Sequence, residues 1–560
     1  MELSARGAAG ALAPPSPQLR AAVVVPARDE EHRIGACLDA LATQEGIGPE
    51  EYEVIVVLDA CEDATEAAVA AAAERRSELR LRTIEGPGRG AGFARALGMD
   101  VGCARLESVG AGEGLLASTD ADTRVPPEWL ARQLQALEAG AEAIGGRILL
   151  DAAEAAALPA EVVERREREL LQRTAAATTR GPAEHAHFSG ASLGLTPRAY
   201  RLVGGMAQLE SLEDQELEDR LAARGVAIHR PGSVWVTTAA RTEGRAERGL
   251  ARDLELGRWL AIRRYAGTAF APARLLAAKA ESVAAILPAR ECAATIGATV
   301  AALAPLRDRG LLDRLVVVDA DSADGTAELA GRAGAEVLQE HALRPELGPC
   351  QGKGDAMWRA AAVVEADVLV FLDADSADFE PGFLTGLLGP LLLEEGVELV
   401  KGSFERPFAG SPAGPLPGEG GRVTELVARP LLNLHFPRLA GFSQPLAGEV
   451  AVRRRLLDKM PVPVGYGVEI AMLVDALRLA GLDALAEVDL GSRQNRHQSL
   501  RALSAMAAEV MVAVERRAGA APRPSSPTFR PRPDGADTSL WRLRCDERPP
   551  LAAVREAERP

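Results

Sequence analysis

Cysteine is scarce and scattered in this 560-residue chain. The six residues, Cys37, Cys61, Cys103, Cys292, Cys350 and Cys545, include no Cys-x-x-Cys pair. That argues against a disulfide framework or a zinc site and fits a reducing, cytoplasmic setting. No uninterrupted apolar run is long enough to span a bilayer. Met1 to Arg20 lacks the basic start and continuous apolar core of a secretory signal. A soluble protein is expected. Basic residues are outnumbered, with 64 Lys and Arg against 80 Asp and Glu and a formal net charge of −16. With no basic stripe, nucleic acid and anionic membranes are set aside as main partners. Local Lys and Arg clusters could still hold small phosphorylated substrates. No glycine-rich turn has Walker spacing, so ATP hydrolysis is not expected. The hydrophobic content of 47% suffices for sizeable cores, and the length suits two or more domains.

Four signals occur in one order, twice. An apolar run, Ala21 to Val25 or Val283 to Leu287, ends in Pro26-Ala27-Arg28-Asp29-Glu30 or Pro288-Ala289-Arg290-Glu291. Helical periodicity follows, on Ile34, Leu38 and Leu41 and on Ile296, Val300 and Leu303. A second apolar strand leads to Asp59 in one copy and to Asp319 and Asp321 in the other. Gly88-Arg89-Gly90 and Gly352-Lys353-Gly354 each open a helix. An apolar strand then ends in Asp120-Ala121-Asp122 or Asp373-Ala374-Asp375. Strands alternating with amphipathic helices predict an α/β fold of two tandem, mostly parallel Rossmann-like sheets. Ligands of such sheets bind beyond the carboxyl ends of the strands, where all these signals converge. The expected organisation is a first domain over 19–264, a connection over 265–280, a second domain over 281–517 and a disordered Pro- and Arg-rich tail over 518–560.

Two carboxylates one residue apart at a strand end can hold Mg²⁺ or Mn²⁺ against a diphosphate, neutralising charge as a glycosidic bond breaks. Alone, Asp-x-Asp more often closes a turn or caps a helix. The three signals upstream favour the functional reading. Asp375 is assigned as the direct ligand, Asp373 to the ribose or the metal's water shell, and Lys353 to the donor as a point cation. Asp319 binds a uracil or ribose edge, or closes a turn.

The second half resembles glucosyl-3-phosphoglycerate synthases, retaining glycosyltransferases of the GT-A fold. The resemblance covers Glu281 to Val514. It rests on Pro345-Glu346-Leu347-Gly348-Pro349, the run Gly420 to Pro430, Leu439-Ala440-Gly441-Phe442, Gln444 to Glu449 and Val464 to Ile470. It implies UDP-glucose, or another nucleotide sugar, as donor and 3-phosphoglycerate as acceptor. Pro288, Ala289 and Glu291 would lie at the donor. Gly421, Arg422, Val423 and Thr424 would cradle the acceptor, where glycine admits backbone N–H groups to an anion and arginine pairs with phosphate. Tyr466 and Glu469 would line the sugar and acceptor pocket, although a carboxylate there also suits a helix start. Arg493 would meet the acceptor phosphate. That family carries a metal-binding histidine after the Asp-Leu-Gly segment. Here Asn495 occupies the place and His497 follows, so His497 is taken as the metal ligand.

The first half resembles family 2 glycosyltransferases, most of which invert configuration. Pro26, Asp59, Arg89, Asp120 and Asp122 fit the donor half, with Asp122 at the metal and Arg89 in the place of Lys353. Phe188 to Leu193 resembles the acceptor loop. Asp214 fits the base that takes the acceptor's proton, although its acidic neighbours also read as a solvated helix face. The whole reads as a bifunctional hexosyltransferase in glucosylglycerate synthesis, with self-association as a homodimer left open. Its rivals are a mannosyl-3-phosphoglycerate synthase using GDP-mannose, a nucleotidyltransferase, and a chain whose first domain is a non-catalytic scaffold.

Overall fold

The computed structural model describes residues 12–178, 183–244, 248–405, 421–493, 499–531 and 538–558, with backbone alone over 527–541. The chain divides into two compact units, 1–261 and 262–560. The first contains β1 Ala21–Ala27, β2 Tyr52–Leu58, β3 Leu81–Glu85, β4 Leu115–Ser118, β5 Thr123–Arg124, β6 Ala143–Gly145, β7 Arg147–Leu150, β8 Leu193–Leu195, β9 Ile228–His229 and β10 Trp235–Thr238. Its main sheet has the order β3-β2-β1-β4-β8-β6-β9, and β5-β10-β7 form a small second sheet. Within the main sheet, β8 runs antiparallel to both neighbours and the other pairs are parallel.

The second unit contains β11 Arg264–Ala266, β12 Val283–Ala289, β13 Arg314–Asp319, β14 Glu336–Gln339, β15 Val368–Phe371, β16 Leu399–Glu405, β17 Val450–Arg453, β18 Val462–Pro463, β19 Leu485–Ser492, β20 Ser526–Pro531, β21 Thr538–Leu543 and β22 Glu547–Arg548. Its main sheet runs β11-β19-β16-β17-β15-β12-β13-β14, and only β17 is antiparallel. From β3 to β6, and from β14 to β16, the two sheets share one topology. The mostly parallel α/β architecture expected from the sequence is present in both.

Parallel strands need both faces covered, and the side-chain alternation of β1 supplies this. Ala21, Val23 and Val25 enter one core with Ile34, Leu38 and Leu41. Ala22 and Val24 enter the other with Ala94, Met99 and Val101 of the helix Ala91–Ser108. Each fully buried valine or leucine contributes roughly 1.5–3 kcal/mol. Ile296, Val300 and Leu303 are buried equivalently against β12.

The loops beyond β1 and β12 are pinned in the same way. The Thr65 and Thr326 hydroxyls accept from the Glu30 and Cys292 N–H groups at 2.6 and 2.9 Å. Those hydroxyls donate to Asp63 and Asp324, each at 2.5 Å. Asp29 and Glu291 both take positive φ, 47° and 52°. Their carboxylates accept from the Glu62 and Ala323 N–H groups at 2.6 and 3.0 Å. Left-handed backbone at a non-glycine residue is unfavourable, and these hydrogen bonds hold it in place. Glu291, expected at the donor, therefore ties the two loops of its site together.

Two boundary expectations change. The stretch 265–280, read as a connection, is part of the second unit. Tyr265 pairs with Val488 as an edge strand, and Phe270 and Leu275 are buried in the core. The end of the expected disordered tail is folded onto the same unit. β22 pairs with β18, Leu551 is buried, and the Trp358 indole donates to the Pro549 carbonyl at 2.8 Å. The Arg548 guanidinium donates to both oxygens of fully buried Asp355 at 2.8 and 2.9 Å, where Arg359 also binds. A buried carboxylate needs such cations, which is why the tail stays.

Candidate functional sites

In the second unit, β15 delivers Asp373 and Asp375 to the carboxyl end of the sheet. The Lys353 ammonium, on the first turn of the helix Lys353–Val363, lies 2.7 Å from both Asp373 and Glu469. Burial opposes its charge, but the two carboxylates outweigh this and hold the ammonium well above its ordinary range. Lys401, fully buried on β16, donates to the Ala447 carbonyl at 2.5 Å. Burial pushes its pKa down to about 8. Arg493 lies 3.8 Å from both Asp373 and Asp375 and is paired with Glu449 and Ser376. It was expected at an acceptor phosphate, but its side chain is buried beneath the carboxylates. Asp375 is 52% exposed. Partial burial, and then the charge of Asp373, push its carboxyl upward, which a bound cation would relieve. Buried Asp319 accepts from the Ser322 N–H at 3.1 Å through one oxygen. Its other oxygen has no hydrogen-bond partner among the described residues.

The first unit builds its cluster differently. Arg95 reaches Asp120 at 2.7 Å, Glu213 at 2.9 Å, the Ser118 hydroxyl at 2.6 Å and the Gly190 carbonyl at 3.1 Å. Asp214 accepts from the Gly190 N–H at 3.0 Å, which joins the expected base to the expected acceptor loop. Arg89, expected as the counterpart of Lys353, is exposed and lies over the Phe93 ring at 3.9 Å. The reason is register: Gly90 and Gly352 cap the two helices, so Ala91 stands where the second unit has Lys353. Asp59 accepts from the Gly88 and Gly90 N–H groups at 2.6 and 2.8 Å, closing its loop on itself. Asp122 is only 10% exposed and meets the Arg241 guanidinium at 2.9 Å. Arg241 also pairs with Glu30 at 2.8 Å. Burial, and then Asp120, push Asp122 up to about 6.

The remaining predicted residues fall around these clusters. Pro26 and Ala289 are buried at their strand ends, and Pro288 is half-buried. Gly421 has φ 72°, in the left-handed region that favours glycine, and precedes a π-helical turn over Thr424–Ala428. Thr424 is buried, with its hydroxyl 3.5 Å from Gln444; Arg422 and Val423 are half-buried. Tyr466 is exposed, and its N–H donates to Glu509 at 2.8 Å. Asn495 and His497 lie outside the described residues.

Sequence reasoning gave no role to Arg95, Arg241 or Lys401, and named Glu213 and Glu449 only within longer runs that carried the resemblance. A signal existed for two of them. Arg95 follows Gly92-Phe93-Ala94, and Lys401 follows Leu399-Val400, each a lone charge in an apolar run. A buried charge of that kind needs a partner. Two adjacent acid side chains with oxygen donors suit Mg²⁺ or Mn²⁺, and exposed Asp375 fits that role. Among the described residues no group of three or more His, Cys, Asp or Glu could hold a metal. No helix among them is long and apolar enough to cross a membrane.

The family described as Glycosyl transferase family 2 matches residues 22–183 and 284–434. Glucosyl-3-phosphoglycerate synthase of Mycolicibacterium paratuberculosis is 41% identical over 304 residues, covering 53% of this chain and 92% of that protein. A crystal structure of mannosyl-3-phosphoglycerate synthase from Rubrobacter xylanophilus shares 41% identity at a TM-score of 0.48, over 53% of this chain and 98% of that one. That of glucosyl-3-phosphoglycerate synthase from Mycobacterium tuberculosis, in complex with Mn²⁺ and UDP-glucose, shares 38% at 0.46, over 51% and 96%. The chain belongs to glycosyl transferase family 2, as a hexosyltransferase related over about half of its length to glucosyl-3-phosphoglycerate synthase.

Proposed function

We propose that the second unit transfers glucose from UDP-glucose to 3-phosphoglycerate with retention of configuration, and that the first unit is a second glycosyltransferase. The observation that carries this is the Lys353 bridge between Asp373 and Glu469, beside an open Asp375. These are residues singled out from the sequence, and they converge at one strand end. Forty-one per cent identity to a glucosyl-3-phosphoglycerate synthase, over nearly its whole length, supports the substrate pair.

Each residue has a task in this reading. Asp319 receives the nucleotide through its unpaired, buried oxygen. Lys353 holds Asp373 and Glu469 in fixed orientation, so that Glu469 can accept a glucose hydroxyl while Asp373 faces the ribose. Gly421 to Thr424 receive the acceptor. Asp375, with His497 or Asn495, would hold the divalent cation, which when bound supplies neutralising charge to the leaving diphosphate. Glu469 is tied to Lys353, which suits orientation better than attack. The acceptor's proton then passes to the leaving diphosphate on the same face of the sugar. Trapping a glycosylated Glu469 would overturn that route.

The test uses the full-length chain with UDP-glucose, ADP-glucose or GDP-mannose, 3-phosphoglycerate and Mg²⁺ or Mn²⁺. UDP-glucose should yield glucosyl-3-phosphoglycerate. Asp375→Ala should lower turnover on the order of 10²–10³-fold, the scale of losing one electrostatic contact to developing charge. Asp122→Ala should leave that transfer unchanged. Loss in Asp122→Ala instead would put the activity in the first unit, and a product formed only from GDP-mannose would change the donor.

A further inference from the structure

We propose that the Asp-x-Asp of the first unit takes no divalent cation, and that the Arg241 guanidinium is the positive charge its donor diphosphate meets. The inference rests on the reading of that unit as a nucleotide-sugar transferase.

The second unit supplies the reference, because the two sheets can be aligned strand by strand. Ser118 and Phe371, each two residues before its Asp-x-Asp, pair with Leu193 and Val450. Those residues pair onward with Gly145 and Lys401. Four residues beyond these, Leu149 and Glu405 pair with Thr237 and Ser492. Leu149 and Thr237 lie in the small second sheet, and the β16–β19 register shifts between Ser403 and Glu405, so from here the match is one of chain order. Four residues further come Arg241 in one unit and Arg496, between Asn495 and His497, in the other. In chain order alone, Arg241 follows its strand as Asn495 and His497 follow β19.

The surroundings differ to match. Arg241 is held between Asp122 at 2.9 Å and Glu30 at 2.8 Å. The residue level with Glu30 is Cys292, since each donates its N–H to the loop threonine. Cys292 offers no carboxylate to an arginine. Among the described residues of the second unit, Arg493, one residue beyond Ser492, is the arginine paired with Asp375, and it also pairs with Glu449. The residue level with Glu449 is Ser192, which has no charge. The outcome is Asp122 10% exposed with a guanidinium at 2.9 Å, and Asp375 52% exposed with the Arg493 guanidinium further off at 3.8 Å. A metal at Asp122 would need to displace a charge-assisted pair from a buried carboxylate.

Arg241 keeps about a third of its own side chain exposed. With Arg33 it lines a cavity of about 570 Å³ that also includes Asp29, Glu30, Asp63 and Glu243. That acidic lining would draw in a divalent cation if Asp122 were open. Nη1 and Nη2 of Arg241 already pair with Glu30 and Asp122, so a diphosphate would be met by the guanidinium donors these two carboxylates leave, where an ammonium has only three donors in all.

The experiment counts Mn²⁺ by electron paramagnetic resonance on the full-length chain, with and without UDP. In the Asp375→Ala chain, which silences the second unit's site, no bound Mn²⁺ is expected. Adding Arg241→Ala should create a site of about one equivalent, and Arg241→Gln serves the same purpose if the alanine variant does not fold. One equivalent of Mn²⁺ in the Asp375→Ala chain that Asp122→Asn removes would overturn the proposal. A second measurement uses inorganic pyrophosphate in EDTA on the Asp375→Ala background. Binding weakened at least tenfold by Arg241→Ala supports the proposal, and binding that appears only when Mn²⁺ is restored overturns it. Failure of the wild-type chain to bind any Mn²⁺ would instead count against the metal-dependent reading of the second unit.

Discussion

Two sites on one topology solve the same electrostatic problem with different cations. In the second unit two ammonium groups divide the work: Lys353 joins Asp373 to Glu469, and Lys401 binds the Ala447 carbonyl. In the first unit the single guanidinium of Arg95 joins Asp120 to Glu213 and binds the Gly190 carbonyl, which is level with that of Ala447. An ammonium is a compact point charge, whereas a guanidinium offers five donors in a rigid fork. One fork can therefore replace two lysines, provided it enters from further along the helix. Arg95 sits in the second turn, and Lys353 in the first. The lesson is that a repeated motif conserves where charge is needed before it conserves which residue brings it.

The sharpest way to break this comparison is to remove each cation in turn. Lys353→Met should lower transfer to 3-phosphoglycerate on the order of 10³-fold, because it unties two site carboxylates at once. Arg95→Met should leave that transfer within twofold. Steady-state kinetics on the two full-length variants checks both, and a comparable loss in Arg95→Met would end the assignment of separate sites.

A smaller effect concerns the brace behind the second site. Arg548 holds Asp355, two residues after Lys353 on the same helix, whereas the same helix position in the first unit is the buried Phe93. Arg548→Ala should destabilise the second unit by about 3 kcal/mol, the scale of stripping a cation from a buried carboxylate. Differential scanning calorimetry should show one transition lowered and the other unmoved. Two shifted transitions would show that the tail braces more than its own unit.

A prediction confined to the first unit concerns pH. His185 and His187 in the first unit are buried, and burial pushes them down to about 4 and about 3 from 6.5. The Nδ1 atom of each accepts a backbone N–H, from His187 and Ile148 respectively, so protonation there would break a hydrogen bond. The unfolded chain therefore binds more protons between about pH 4 and 6.5, and stability rises with pH across that window. Going from pH 7 to pH 5 should cost the first unit about 2 kcal/mol per histidine. Urea unfolding at the two pH values measures this, and His187→Asn should halve the difference. An equal loss in the second unit would assign the effect to other groups.

Much of the fold was legible because the repeat is written in local chemistry. The apolar runs at Val23 and Val283 and the periodic Ile34, Leu38 and Leu41 describe strands and helices covered on both faces, and those residues are buried. Both Asp-x-Asp pairs lie at strand ends for the same reason. The tail was misread because its composition is polar. Its order comes from Arg548 reaching a carboxylate 193 residues away, a distance that composition does not encode. Arg89 was misplaced by two residues. The matching Gly-basic-Gly triplets align by eye, but the helix caps align Gly90 with Gly352.

By itself, the sequence determined the doubled α/β plan, the places of Asp59, Asp120, Asp122, Asp319, Asp373 and Asp375, and the likeness of about half the chain to a hexosyltransferase. Those features depend on hydrophobic period and on residues adjacent in the chain. Only the tertiary structure decided which cation answers each carboxylate. Arg95 meets Asp120, Arg241 covers Asp122, and Lys353 reaches past Asp373 to Glu469. Such pairings join residues far apart in the chain, 119 positions for Asp122 and Arg241 and 211 for Glu30 and Arg241. Electrostatic partners are chosen by distance in space and by burial, and neither is a local property of the chain.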